Sequence, residues 1–177
     1  MIKYVNYFNL PSANFRRIYV DHSCASACPE GNIFVPCQFN NSAPRQPLKY
    51  YNQLGVAQDI CLTLTVVPSA EILVYIGATV GEGFTTISKV AANNYAPVVL
   101  INWVTPQNLI PAPLLPYFEF LFLQMVLQGQ SVFSPTGDSG PFADYPNRQF
   151  IVNEPAGERY VVAVGGTSLT VNLVTIK

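Results

Sequence analysis

Between residues 134 and 147 the chain reads SPTGDSGPFADYPN. A Gly-Asp-Ser-Gly turn after an apolar run is a place where a serine or an aspartate can serve acyl-transfer chemistry. Two readings of the turn compete. In one, Ser139 is a nucleophile that needs a base, and His22, Asp59 and Ser139 run along the chain in the order His, Asp, Ser. In the other, Asp138 rather than Ser139 is the residue that matters. A second cluster of reactive side chains lies in HSCASACPEGNIFVPC, with His22, Cys24, Cys28 and Cys37. One His and three Cys could hold zinc, but the spacing matches no common zinc module and contains no CxxC pair. Disulfides or free thiols are the alternative, and the redox compartment stays open.

The composition bounds what these residues can belong to. The chain has 177 residues, 50% of them hydrophobic and 11% charged, which suits one globular domain with a sizeable core. A net charge of −1 provides no footprint for nucleic acid or an anionic membrane. The first twenty residues lack the apolar core of a secretion signal. LIPAPLLPYFEFLFLQMVL, residues 109–127, is apolar enough to raise the question of a membrane span. Pro111, Pro113, Pro116, Glu119 and Gln124 interrupt it, so a buried core helix is expected instead. Asn40-Asn41-Ser42 is a glycosylation sequon, meaningful only in a secreted chain.

The elements that position the turn follow from the pattern. Strands are expected at 16–20, 71–78, 97–104, 131–137 and 160–166, and helices at 51–67, 83–94 and 114–130. The loop with the cysteine cluster separates the first strand from the first helix. Strands alternating with helices of about ten to fifteen residues imply βαβ units and a parallel sheet with helices on both faces. Ligands of such sheets sit at the carboxyl ends of the strands, and the Gly-Asp-Ser-Gly turn follows one. The trypsin-like peptidases, whose motif has one more glycine, are pairs of β-barrels, and this alternation does not fit them.

From YVDH to VGGTSL the chain resembles the sedolisin family, the serine-carboxyl peptidases on a subtilisin-like fold. The resemblance is carried by segments in the family's order. AQDICLTLTVVPSAEILVYIGA is similar to the family's LDI…APGAxIxVY, with nine residues from Asp59 to Pro68. APVVLINWV is similar to PxVISISWG, SVFSPTGDSG to VxxxAAxGDSG, and GERYVVAVGGTSL to PYVTAVGGTxL. The resemblance implies that Asp138 is an oxyanion-hole acid and that Asp59 supports a general-base glutamate. It also implies that Asn102, Trp103 and Val104 lie along substrate backbone. A glutamate base with a reference pKa near 4.3 suits acid pH. An i, i+4 spacing places glutamate and aspartate on one helix face.

The pattern breaks in three places. Gly55 occupies the general-base position, and residues 53–58, QLGVAQ, contain no acid. The family's serine opens a helix well after VGGT, whereas SLTVNLVTIK follows Gly166; Ser168, in GGTSL, matches an earlier family segment. Val104 stands where the family has a glycine. Other roles remain open for the matched residues. Asp59 could be an acid near a helix N-terminus, Asp138 could shape its turn, and Trp103 could be core.

We therefore expect residues 1–177 to form part of an α/β, subtilisin-like sheet, lacking the C-terminal part that carries the family's serine. No metal or cofactor is expected, because the family's calcium site lies in that part. Two functions are expected to compete. One is a non-catalytic structural or binding protein that associates with itself or a protein partner. The other is the N-terminal part of an active acid endopeptidase that takes a peptide substrate.

Overall fold

The computed structural model describes residues 14–19, 48–76, 83–143, 149–168 and 170, in two compact units, Met1–Tyr95 and Ala96–Lys177. The cysteine cluster with His22, the sequon and the N-terminal segment lie outside the described residues.

In the first unit, β1 (Asn14–Tyr19) pairs in parallel with β2 (Glu71–Ile76), from Asn14 opposite Glu71 to Tyr19 opposite Ile76. Helix α1 (Leu48–Val66) lies between them in sequence, and α2 (Gly83–Asn93) follows β2. β2 reads EILVYI because each face meets a helix. Ile72 and Val74 pack on Val56, Ile60 and Leu64 of α1. Tyr75 points the other way, and its hydroxyl accepts a 2.9 Å hydrogen bond from Asn93 Nδ2 of α2. The expected helices on both faces are thus present at β2. α1 ends before the turn at Pro68, where Ala70 N–H donates to Val67 O. α2 buries Ile87 and Ala91, one turn apart, and ends at Asn94 with φ 45°, a left-handed conformation that asparagine tolerates.

The second unit holds a parallel sheet of β3 (Val98–Leu100), β5 (Ser131–Pro135) and β7 (Val161–Val164), in the order β3-β5-β7. Val98 lies opposite Ser131, and Val132 opposite Val161. Two 3-10 turns, Gln107–Leu109 and Ala112–Leu114, lead into helix α3 (Leu115–Leu127). Pro116 sits in the first turn of α3, where a missing N–H is tolerated. Phe118, Leu121, Phe122 and Met125 are buried at i, i+3, i+4 and i+7, the stripe of a core-facing helix. The rings of Phe118 and Phe122 stack with centroids 6.1 Å apart. Gly129, with φ 84°, closes the helix. Gln130 Nε2 then donates to Ala96 O at 3.0 Å and ties the end of α3 to the entry of β3.

α3 packs against β5, and Val132 and Ser134, which share one face of the sheet, are buried. The opposite face is apolar and open: Val98, Leu100, Val162 and Val164 are 63%, 56%, 50% and 48% exposed.

The strand expected over 97–104 ends at Leu100. Ile101 N–H still donates to Phe133 O, but the chain then changes partner. Thr105–Pro106, β4, pairs antiparallel with Asn153–Glu154, β6, a pairing the sequence pattern did not reveal. No helix among the described residues is long and apolar enough to cross a membrane.

Phe122 is fully buried and Phe120, on the same helix, is 69% exposed. Phe122→Ala is expected to lower stability by about 3–5 kcal/mol and Phe120→Ala by less than about 1 kcal/mol, read from urea unfolding midpoints.

Candidate functional site

Parallel strands place all their carboxyl ends on one edge, so residues that follow β3, β5 and β7 converge there without being near in sequence. Asn102, Trp103 and Val104 follow β3, the Gly137–Gly140 turn follows β5, and Thr167 and Ser168 follow β7. Asn102 and Asp138 are exposed, while Trp103 and Val104 are half-buried.

The Asp138 turn is held on both sides. Thr136 N–H donates to Val164 O at 3.0 Å, extending the β5–β7 pairing by one residue. Asn153 Nδ2 donates to Thr136 O at 2.9 Å from β6. Gly137 has φ 106°, and a Cβ there would lie 2.5 Å from Asn153 Nδ2 and 4.0 Å from Val104 Cγ2. Only glycine allows this approach. Gly140 also has a positive φ, 61°, and Phe142 N–H donates to Ser139 O at 3.2 Å to close the turn. Val104 and the Asp138 turn are thus neighbours, and Asn153 joins them. Asn153 was missed in the sequence; its only signal there was proximity to the VVAV strand.

β4 and β6 form a clamp beside this turn. Gln107 Nε2 donates to Glu154 Oε1 at 2.9 Å, and Gln107 N–H donates to Val152 O at 3.0 Å. Glu154 is 2% exposed, and among the described residues its Oε2 has no hydrogen-bond partner. Burial raises its pKa, and hydrogen bonds from Gln107 and the Gly157 backbone pull it part of the way back. Glu158 is pushed up to about 7, first by burial and then by the charges of Glu154 and Glu119.

Asp59 and Gly55 lie on α1 in the first unit. The helix covers both, so the position one turn before Asp59 is a glycine with no side chain to offer. Because α1 begins at Leu48, Asp59 lies in its interior; the reading of an acid near a helix N-terminus is corrected. Asp59 is half-buried, and its carbonyl oxygen accepts a 2.8 Å hydrogen bond from Thr63 Oγ1. Among the described residues, neither Ser139 nor Ser168 has a carboxylate hydrogen-bonded to its hydroxyl, and no three metal-ligating side chains cluster.

Two predictions follow from the turn and the clamp. Gly137→Ala meets both an unfavourable φ and a collision, and is expected to cost more than about 1 kcal/mol by chemical denaturation. Adding Asn153→Ala should relieve the collision and leave the φ cost, so the double variant loses less than the sum of the two singles. For Glu158, the folded pKa of about 7 exceeds the ordinary 4.5, so its contribution favours folding below about pH 4.5 and is lost as pH rises through about 7. Glu158→Gln should match the parent in melting temperature near pH 4 and exceed it at pH 8.

No family model matches the chain. It is 29% identical over 117 residues to kumamolisin from Bacillus sp. (strain MN-32), an alignment that spans 64% of this chain and 21% of that protein. Among solved structures it is similar to Pseudomonas sedolisin, a serine-carboxyl proteinase complexed with two molecules of pseudo-iodotyrostatin, with a TM-score of 0.72 and 18% identity. That match covers 97% of this chain and 45% of the sedolisin chain. The chain has a sedolisin-like, subtilisin-type α/β fold that spans less than half of the solved structure it matches.

Proposed function

We propose that this chain is a non-catalytic sedolisin-like domain that works by binding protein, within an assembly of its own copies or with other subunits. Gly55 carries this reading. It stands one helical turn before Asp59, where the resemblance requires a general-base glutamate, and no acid lies within residues 53–58. Peptide hydrolysis needs a group to take the nucleophile's proton, and an oxyanion-stabilising Asp138 cannot replace it. The binding half of the proposal draws on the open face of the β3-β5-β7 sheet. Apolar patches of this kind mark interaction surfaces, and with 11% charged residues the chain has few charges to keep such a face solvated.

The preserved Asp138 turn favours a second reading, an N-terminal part of an active acid serine-carboxyl endopeptidase whose nucleophile lies beyond residue 177. Asp138 would then stabilise the oxyanion, Asp59 would support the base, and Asn102, Trp103 and Val104 would line the substrate backbone. The chain spans 21% of kumamolisin and 45% of the sedolisin chain, which leaves room for such an extension. The intact mass of the native gene product separates the two readings.

The purified chain is expected to cleave no peptide between about pH 3 and 7, the range of carboxylate and histidine chemistry. Turnover abolished by Ser168→Ala or Ser139→Ala would refute the non-catalytic reading. In sedimentation at micromolar concentration the chain is expected to self-associate or to co-sediment with its partner. Leu100→Glu with Val162→Glu should shift it toward monomer. A monomeric parent with cooperative unfolding and no dye-accessible apolar surface would remove the binding half of the proposal.

A further inference from the structure

Asn153, Glu154 and Pro155 are consecutive and all buried, Glu154 at 2% exposure. A glutamate is out of place in such a run, because its side chain is rarely fully buried unless it is paired. Glu154 Oε1 accepts the hydrogen bond from Gln107 Nε2, and among the described residues Oε2 has no partner. Gly157 closes over the carboxyl: a Cβ there would lie 2.9 Å from Oε1. Among the described residues, the charged groups on the elements around Glu154 are Glu119 of α3 and Glu158 and Arg159 of the turn after β6. Thr105 and Pro106 of β4, and Gln107 beyond them, bring no charge. Glu119 and Glu158 repel an anion. Arg159 is paired with Glu119 at 3.5 Å, and its side chain is 79% exposed. A buried carboxylate needs a cation or a full set of donors. Glu154 has Gln107, the Gly157 backbone and no cation, so its enclosure suits the neutral acid.

The place of this carboxyl in the chain gives its proton leverage. Glu154 lies opposite Thr105 in the β4–β6 pairing. Gln107, which donates to Oε1, also donates its backbone N–H to Val152 O at 3.0 Å. Side chain and backbone thus close one clamp from both sides of Glu154. The residue before Glu154 is Asn153, whose Nδ2 donates to Thr136 O and supports the turn that carries Asp138. A displacement of β6 at Glu154 therefore carries the donor of that bond with it. Ionisation provides the displacement, because a bare carboxylate regains its hydration only by leaving the enclosure.

We propose that Glu154 is a proton-operated latch: its neutral carboxyl holds β4 and β6 together, and loss of the proton releases β6 and with it Asn153's hold on the Asp138 turn. The folded form prefers the proton, since burial raises the pKa above its ordinary 4.5. The latch therefore contributes its full stability below about pH 4.5 and loses it as pH rises through the folded value. The turn is held in acid and loosened toward neutral pH. Thr136 N–H still donates to Val164 O on the β7 side, so the sheet outlasts the latch. This device stands independently of whether the chain is catalytic.

The test is NMR of the purified chain from about pH 4 to about pH 8, a range that begins near the ordinary carboxylate values. The Glu154 carboxyl resonance gives the midpoint of its titration, and the Asn153 side-chain amide reports on the bond to Thr136 O. The two are expected to move along one curve. The Gln107 backbone amide, which reports on the clamp, should lose protection from hydrogen exchange by about tenfold or more above that midpoint, after correction for the intrinsic effect of pH. Glu154→Gln, neutral at every pH and equal in shape, should keep Gln107 protected and the Asn153 resonance flat. Glu158→Gln and Asp138→Asn should retain the response, which separates it from carboxyls that titrate nearby. A response that survives in Glu154→Gln, or one that vanishes in Glu158→Gln or Asp138→Asn, would overturn the latch. If Glu154→Gln does not fold, the parent titration decides alone. A midpoint for Glu154 at or below 4.5, or Gln107 protection unchanged through the midpoint, overturns the proposal.

Discussion

The hydrogen bond from Asn153 Nδ2 to Thr136 O joins segments far apart in sequence, and the geometry of the sheet's functional edge depends on it. Asn153 reaches Thr136 only because Gly137 has no side chain to obstruct it. Through β6 the same residue is paired with β4, so the tail of β3 and the tail of β5 are held by one short strand. The Asp138 turn is therefore positioned by its neighbours as well as by its own sequence. A loop supported only by its two glycines would sample many conformations; this one is fixed from β6 and from β7.

The first unit shows the opposite economy. α1 keeps its length through Gly55, although glycine in a helix interior is about 1 kcal/mol less favourable than alanine. Packing of Ile60 and Leu64 on β2 outweighs that cost. The helix thus persists with glycine one turn before Asp59. It tolerates glycine there because its core contacts lie on Val56, Ile60 and Leu64.

Much of this was legible in the sequence because it rests on periodicity. The apolar runs read as strands over 71–78 and 131–137 form Glu71–Ile76 and Ser131–Pro135, and the apolar segment read as a core helix over 114–130 forms α3. The Gly-Asp-Ser-Gly letters placed the turn after β5 correctly. What escaped was set by tertiary pairing. Residues 101–104 are as apolar as a strand, yet the chain leaves β5 after Ile101 to pair Thr105 and Pro106 with β6, and two-residue strands have no period to read. The burial of Glu154 was equally invisible, since a glutamate between Asn153 and Pro155 reads as a surface turn until its environment is known. Gly55 and Asp59 were legible four residues apart, and α1 places both on one helix.

The three-stranded sheet contains only parallel pairs, β3 with β5 and β5 with β7. The crossovers are 30 residues from β3 to β5 and 25 from β5 to β7, so no hairpin can start the sheet, and contact order is high. Such topologies fold slowly, because loop closure must precede the contacts that reward it. During synthesis β3 and β5 leave the ribosome before β7 exists, and the unpaired N–H and C=O groups along one edge of β5 wait for their neighbour. Yield in the cell then becomes a race between closing that edge and pairing it with another nascent chain, decided by the rate of synthesis and the local chaperone supply rather than by final stability.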